Sequence, residues 1–285
     1  MGTRQRVSAV VVDYDAGPVL ALCVESLLAE GCDVLVVENG SAEDARRLLA
    51  GHGLAVPVLS TGANLGYGAG ANRGVAATSG EFVLLANADL QVHRGAVNAL
   101  VGALDDEPSW AVVGPRLLDA AGHIYPSVRR FPSMVDAAGH ALISLVQPDN
   151  PFSNRYRPPE AGGSSRGPAD WVSGACFLVR RSAMEELGGF DEAYFMFAEE
   201  LDLCWRAHQA GWGVGVEPAA VVTHLEGVSR RRHPYKMLLA HHRSALRFAG
   251  RSTEGWRRLA LPLAGLVLGL RLVVALAVEA ARRPS

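Results

Sequence analysis

Val7-Ser8-Ala9-Val10-Val11-Val12-Asp13-Tyr14-Asp15 is a β-branched apolar run that ends in two carboxylates. Such a run fits a strand buried on both faces of a parallel sheet. Pro18 to Glu30 follows with Leu20, Val24, Leu27 and Leu28 at helical spacing and stops at Gly31. The same alternation continues: the pattern predicts strands at 34–37, 56–59, 82–85 and 110–113, and helices at 42–49, 69–78 and 96–104. Strand and helix alternating over the first 115 residues predict an α/β chain, a mostly parallel sheet with helices on both faces. Ligands of such sheets bind outside the carboxyl ends of the strands. Chemistry is therefore sought in the residues just after each strand.

The 285 residues are 49% hydrophobic and 20% charged, which excludes a disordered, collagenous or disulfide-built chain. Cys23, Cys32, Cys176 and Cys204 show no C-x-x-C spacing, so neither a zinc cage nor a dithiol motif is expected, and the pattern suits a reducing compartment. No signal peptide is expected from the first residues. Charge is unevenly spread. Residues 1–229 carry 15 Lys/Arg against 27 Asp/Glu, whereas residues 230–258 carry nine against one. A basic segment on an acidic body suggests an anionic partner at that end, better met by lipid headgroups or a pyrophosphate-linked substrate than by nucleic acid. Leu259 to Val278 is apolar except for Arg271, with Arg257-Arg258 before it and Arg282-Arg283 after. Its length suits a span, but a central Arg favours an interfacial or packed helix, and a buried core helix stays open. Pro262, Gly265 and Gly269 weaken a simple helix there.

Beyond Pro115 the pattern degrades. Pro148 to Pro168 holds five prolines and reads as a long loop, and order resumes at Trp171 with a helix over 200–209. Three strand ends deliver carboxylates to one edge: Asp13-Tyr14-Asp15, Glu38-Asn39-Gly40-Ser41, and Asn87-Ala88-Asp89. Caps explain one such Asp; three together point to binding. Asn87-x-Asp89 has the form of a hard-cation ligand for Mg²⁺ or Mn²⁺, and His224 after the run Ala219–Thr223 is a second candidate or a structural histidine. Gly66-Tyr67-Gly68-Ala69-Gly70-Ala71 matches G-x-G-x-x-A, a partial dinucleotide fingerprint, but six residues separate it from the preceding strand. In Gly188 to Arg206, Tyr194, Phe195, Met196 and Phe197 precede Glu199, Glu200 and Asp202 at a helix start. Leu201, Cys204, Trp205 and His208 form its expected buried stripe, which leaves Glu199 and Glu200 at the helix mouth. A carboxylate beside an aromatic wall has the raised pKa that a general base requires, and Asp202 has Arg206 one turn on as a partner.

Taken together these strings resemble the family 2 inverting glycosyltransferases of the GT-A fold. They are Val10–Asp15, Val37–Ser41, Asn64–Gly74, Leu85–Asp89, Trp171–Cys176, Gly188–Arg206 and His224–Ser229, in the family's order over residues 7–229. The chain is most similar to the rhamnosyltransferase branch, whose members include enzymes extending polyprenyl-diphosphate-linked GlcNAc. The resemblance implies a GT-A catalytic domain over 1–229, with a nucleotide-sugar half at 1–115 and an acceptor half at 116–229. A basic and apolar helical segment, possible membrane contact, follows at 230–285. It implies that Tyr14, Asp15, Glu38, Asn39, Asn64, Gly66, Asn72 and Asn87 hold the nucleotide sugar. Trp171, Gly174, Ala175 and Glu199 would shape the acceptor side, Asp89 and His224 would bind Mg²⁺ or Mn²⁺, and Glu200 would be the catalytic base. The implied partners are a dTDP- or UDP-sugar donor and a lipid-linked or glycan acceptor, with no nucleic acid; the implied location is cytoplasmic, at the inner face of the cell membrane.

Asp15 stands where the family usually has Asn, Glu38 where it has Asp, and Glu200 where the base is Asp. The implied reaction is one displacement at the anomeric carbon, with the base taking the acceptor proton and the metal neutralising the leaving diphosphate. Two other readings stay open on the sequence: a nucleotide-dependent oxidoreductase resting on the G-x-G-x-x-A match, and a non-catalytic sugar-nucleotide-binding module.

Overall fold

The computed structural model describes residues 6–40, 42–132, 147, 150, 165–225 and 234–282. The first half runs β1 (Val7–Asp13), α1 (Val19–Ala29), β2 (Asp33–Glu38), α2 (Ala42–Gly51), β3 (Val58–Ser60), α3 (Tyr67–Ala76), β4 (Phe82–Asn87), β5 (Leu90–Val92), α4 (Ala96–Asp106) and β6 (Trp110–Leu118). The short strands β7 (Ile124–Tyr125), β8 (Val128–Arg129), β9 (Gly167–Pro168) and β10 (Trp171–Val172) follow. Then come β11 (Cys176–Arg180), α5 (Arg181–Glu186), α6 (Glu199–Gln209), β12 (Gly213–His224), α7 (Pro234–Ser252), a 3-10 turn (Gly255–Ala260) and α8 (Leu261–Arg282). The predicted strands and helices of the first 115 residues are all present.

The main sheet has the order β3-β2-β1-β4-β11-β6-β12-β5. Neighbours β3-β2-β1-β4 are parallel, as are β6 and β12, while β11 runs antiparallel between β4 and β6. Both faces are covered. Along β1, Val7, Ala9 and Val11 enter a core with α1 and α4, while Val10 and Val12 enter a second core with α3 and α6. That two-sided burial is why β1 reads as an unbroken apolar run rather than an alternating one.

Register sets the functional edge. Asp13 pairs with Glu38 and Val12 with Asn87, so the carboxyl ends of β1, β2 and β4 finish level. After β4 the chain turns at Ala88-Asp89 and leaves the sheet centre to form β5 on β12, pairing Leu90 with His224. The G-x-G-x-x-A turn is a packing device. A Cβ at Gly70 would press on Val12, one at Gly66, whose φ is 93°, would meet the Phe195 carbonyl, and one at Gly74, a turn further along α3, would meet Val10 and Val37. Helix α3 thus lies flush against β1 and β2, with no separate dinucleotide site implied by these glycines.

Four expectations change. Most of the long loop at 148–168 lies outside the described residues, but its last two residues form β9 on β12. In α6 the buried residues are Glu199, Leu201, Asp202, Leu203, Cys204 and Ala207; Trp205 and His208 are only half-buried, and Glu199 is buried although it opens the helix. Helix α8 is continuous despite Pro262, which stands in its first turn where a missing N–H is tolerated. The buried-core reading of that helix fails: none of its apolar stretch is buried, and Leu263, Leu266, Leu270, Val273, Val274 and Val278 are exposed. Arg271 is turned to α7, where its charge adds to burial in holding His242 below its ordinary pKa. The four cysteines are buried and free.

Candidate active site

A cleft of about 380 Å³ opens at the ends of β1 and β2, lined by Asp13, Tyr14, Asp15, Glu38, Gly40 and Asp44 with Leu20 and Leu48 at its apolar side. Carboxylates can accept hydrogen bonds from hydroxyls and N–H groups and repel phosphate, so the cleft suits an uncharged polar group better than an anion. Asp15 adopts φ 57°, a left-handed conformation that Asp and Asn take more readily than other side chains. Burial pushes Asp13 up to about 6, even though it accepts the Ala16 N–H at 3.1 Å. Asp13 was not assigned a site role from sequence. It reads as the strand's last residue, and only its position in the cleft wall shows otherwise.

Buried Asn39 builds the next stretch. Its Nδ2 donates to the Gly66 carbonyl at 2.9 Å, and its Oδ1 accepts from Leu65 N–H at 3.0 Å and Thr61 Oγ1 at 3.1 Å. Asn64 accepts the Gly66 N–H at 3.0 Å. Both asparagines therefore shape the Gly66 turn through the backbone. Asn72 does not face the cleft: its amide donates to the Phe190 carbonyl at 3.0 Å and to Glu192, and accepts the Phe190 N–H at 2.9 Å. It ties α3 to the loop before α6.

Asp89 and His224 meet as expected. Asp89 Oδ1 and His224 Nε2 are 3.1 Å apart, and both side chains are largely buried. Two donors at about 2.1 Å from one octahedral cation, set at right angles, stand about 3 Å apart, so the pair fits an ion. The donor types, one carboxylate and one imidazole, suit Mn²⁺ as well as Mg²⁺. Among the described residues no third His, Cys, Asp or Glu completes a cluster. Asn87 sits at the end of β4 beside this pair, its backbone N–H donating to the Ala175 carbonyl at 2.9 Å.

Glu199 and Glu200 open α6 after two left-handed residues, Phe197 at φ 68° and Ala198 at φ 65°. They point different ways. Glu199, expected on the acceptor side, packs by Gly68 of α3, near the buried Tyr67 hydroxyl. Burial, then the Glu200 charge, holds its carboxyl well above the usual range. Glu200 packs on Gly174, where any Cβ would press on its side chain. Burial raises it as well, but backbone N–H groups, including those of Gly174 and Leu201, and the charge of Arg129 favour its ionised form. Oε2 of each glutamate is buried with no hydrogen-bond partner among the described residues.

Trp171 is buried, donates its Nε1–H to the Arg130 carbonyl at 3.0 Å, and carries Arg129 over its ring at 5.0 Å. It holds Arg129 and the Arg130 carbonyl from one side. Arg129 also donates to the Tyr125 hydroxyl at 3.2 Å, and the Tyr125 ring meets His224 edge-on. A set of contacts therefore joins the Asp89–His224 pair to Arg129, whose charge acts on Glu200. Arg129 and Tyr125 escaped the sequence reading because two short strands in a region without periodicity give no signal.

Residues 8–188 match the family described as glycosyl transferase family 2. The chain is 38% identical over 263 residues to the N-acetylglucosaminyl-diphospho-decaprenol L-rhamnosyltransferase of Mycobacterium tuberculosis, covering 87% of this chain and 85% of that one. Among solved structures it is similar to the mannosyltransferase PcManGT of Pyrobaculum calidifontis in complex with GDP-Man and Mn²⁺. There the TM-score is 0.58 and the identity 18%, covering 98% of this chain and 76% of that one. It is also similar to GalNAc-T7 with UDP, GalNAc and Mn²⁺, with a TM-score of 0.58 and 15% identity over 79% of this chain and 45% of that one. These two share the fold, which is GT-A.

Proposed function

The chain belongs to glycosyl transferase family 2, and on that premise we propose that it transfers L-rhamnose from dTDP-rhamnose to a hydroxyl of polyprenyl-diphosphate-linked GlcNAc, with inversion. Membership replaces the oxidoreductase reading, and the base site argues against a binding module. The observation that carries the proposal is the placement of a buried carboxylate, Glu200, acted on by the charge of Arg129, which a short chain of contacts joins to the Asp89–His224 pair.

Asp13, Tyr14, Asp15 and Glu38 bind the nucleoside. Asn39 and Asn64 hold the Gly66 turn beside it. Asp89 and His224 would hold Mg²⁺ or Mn²⁺, which supplies neutralisation of the diphosphate's charge. Glu200 Oε2 accepts the proton of the acceptor hydroxyl as that oxygen attacks the anomeric carbon and the bond from that carbon to the dTDP oxygen breaks, and the charge of Arg129 favours the ionised form of Glu200 against its burial. Burial and the Glu200 charge both raise Glu199, so its protonated form is the favoured one.

The acceptor chemistry suits the C-terminal segment. Its exposed apolar helix α8 and the basic residues before it would lie on the cytoplasmic face of the membrane, where a polyprenyl acceptor presents its sugar. The test is incubation with dTDP-rhamnose, UDP-GlcNAc or GDP-mannose and a polyprenyl-diphosphate-GlcNAc acceptor, read by mass spectrometry, with the anomeric configuration read by NMR. A deoxyhexose added to the acceptor from dTDP-rhamnose alone is expected. Transfer from another donor with none from dTDP-rhamnose would overturn the assignment.

A further inference from the structure

The segment that delivers Glu200 is a loop, and its two ends are joined by one side chain from outside the matched family region. Asp191 lies eight residues before Glu199, and Asp202 lies in the first turn of α6. Arg251, on α7, places Nη1 2.9 Å from Asp191 Oδ2 and Nε 3.0 Å from Asp202 Oδ1. Asp202 is wholly buried and also receives Arg206 Nε at 2.7 Å and the Tyr194 hydroxyl at 3.3 Å. Arg247, one turn earlier on α7, adds a second donor to Asp191 at 2.8 Å and lies over the Tyr194 ring. Ser244 Oγ donates to the Met196 carbonyl at 2.9 Å. The same face of α7 thus holds the loop at Asp191, Met196 and Asp202.

Between those points the chain makes the turn through Phe197 and Ala198, two consecutive non-glycine residues at positive φ. Each costs free energy and persists only where surrounding contacts fix it. Ala198 is the residue immediately before Glu199, so its conformation sets the direction of both glutamates. On the opposite side the loop is held by Tyr67 N–H to the Phe195 carbonyl at 3.1 Å and by Asn72 at Phe190. The loop has no regular structure of its own between Phe190 and Ala198.

We propose that Arg251 is a positioning residue for the catalytic base: by bridging Asp191 and Asp202 it fixes the turn that aims Glu200, which makes helix α7 part of the catalytic apparatus. This rests on the reading of Glu200 as the base. Arg251→Ala leaves Asp202 with Arg206 and Tyr194, and Asp191 with Arg247, so the fold stays while the bridge is lost.

The test uses the full-length chain with lipid-linked acceptor. Since misplacement of a reacting group by about 1 Å lowers turnover about 100-fold, Arg251→Ala is expected to lower kcat between about 10- and 100-fold, with Kd for dTDP-rhamnose unchanged. Arg251→Lys, a point charge that reaches one carboxylate, should recover part of the loss. In a Glu200→Gln background Arg251→Ala should have no further effect on kcat, because both act on one step. Asp191→Asn, which removes the other end of the bridge, should reproduce the kcat loss and carries the test should Arg251→Ala prove unstable to heat. Unchanged kcat in Arg251→Ala or Asp191→Asn, or a full further loss in the Glu200→Gln background, overturns the proposal. If Glu200→Gln itself turns over normally, it is the base assignment that has failed.

Discussion

Exchanging each of the two adjacent glutamates for glutamine separates their roles, because glutamine copies a protonated carboxyl in shape. Burial and its neighbour favour the protonated form of Glu199, which Glu199→Gln copies. Turnover should stay within about threefold of the parent. Glu200 must be ionised to accept a proton. A positioned base contributes about 10²–10⁴-fold, roughly 3–5 kcal/mol of barrier, and Glu200→Gln should lose that factor while donor affinity holds. Burial also raises Glu200, so the acid limb of kcat should lie above the ordinary glutamate range. Arg129 favours the charged form; Arg129→Ala therefore raises the base further and moves that limb to higher pH. The assay is dTDP release under saturating donor and acceptor across a pH series, with donor Kd measured for each variant by calorimetry. A dead Glu199→Gln beside an active Glu200→Gln, or an acid limb that moves down in Arg129→Ala, refutes the reasoning.

Asp89→Asn should abolish turnover and weaken Mn²⁺-dependent dTDP binding, while His224→Ala should weaken both less, since it removes a neutral donor; activity that survives EDTA would count against the pair. Asp13→Asn should stabilise the fold at neutral pH. The folded pKa of about 6 lies above the usual 3.8, so stability falls as pH rises through that window, and above it the buried charge costs about 3 kcal/mol. Urea unfolding near pH 4 and pH 7 checks this: a gain at neutral pH that shrinks in acid is expected, and an equal effect at both overturns it. Deleting residues 259–285 should reduce co-sedimentation with anionic liposomes, with a salt-dependent remainder of about 1 kcal/mol per basic residue, and spare donor binding. Unfolding on deletion would show that α8 stabilises the body.

How much of this was legible depends on where each signal is stored. The parallel half was legible because each strand is buried on both faces and each helix carries its own period, as in Val7–Val12 and Leu20–Leu27. Asp89 and His224 were legible as residues after apolar runs, but their meeting depends on β5, three residues whose sheet partner is the end of β12. No local pattern encodes that pairing. Asn64, Gly66 and Asn72 were legible as unusual and misread in emphasis: the glycines give α3 its close approach to β1, and Asn72 holds Phe190. Glu199 was legible as an acid at the helix mouth and an acceptor-side candidate, but its packing by Gly68 was not. Its burial follows from the left-handed turn at Phe197-Ala198, which rolls the helix start inward and which nothing in Tyr194–Ala198 announces.

Why the two glutamates divide as they do follows from the walls they meet. Gly68 and Gly174 are both without a side chain where a glutamate passes, Gly68 by Glu199 and Gly174 by Glu200. On the Gly68 side the neighbours are Tyr67 and Phe190, which offer apolar surface and a hydroxyl but no cation. On the Gly174 side the neighbours are backbone N–H groups and Arg129, which stabilise negative charge. The chemistry at residue 200 is thus set by its surroundings more than by its length. An aspartate there would keep the N-terminal helix position but withdraw the carboxyl by one methylene from the Gly174 N–H and from Arg129. Glu200→Asp should accordingly keep part of the turnover, with the acid limb of kcat moved to higher pH as the groups that favour ionisation become more distant. A limb that stays put would show that burial alone sets this carboxyl, and that Arg129 and the Gly174 amide act on the acceptor instead.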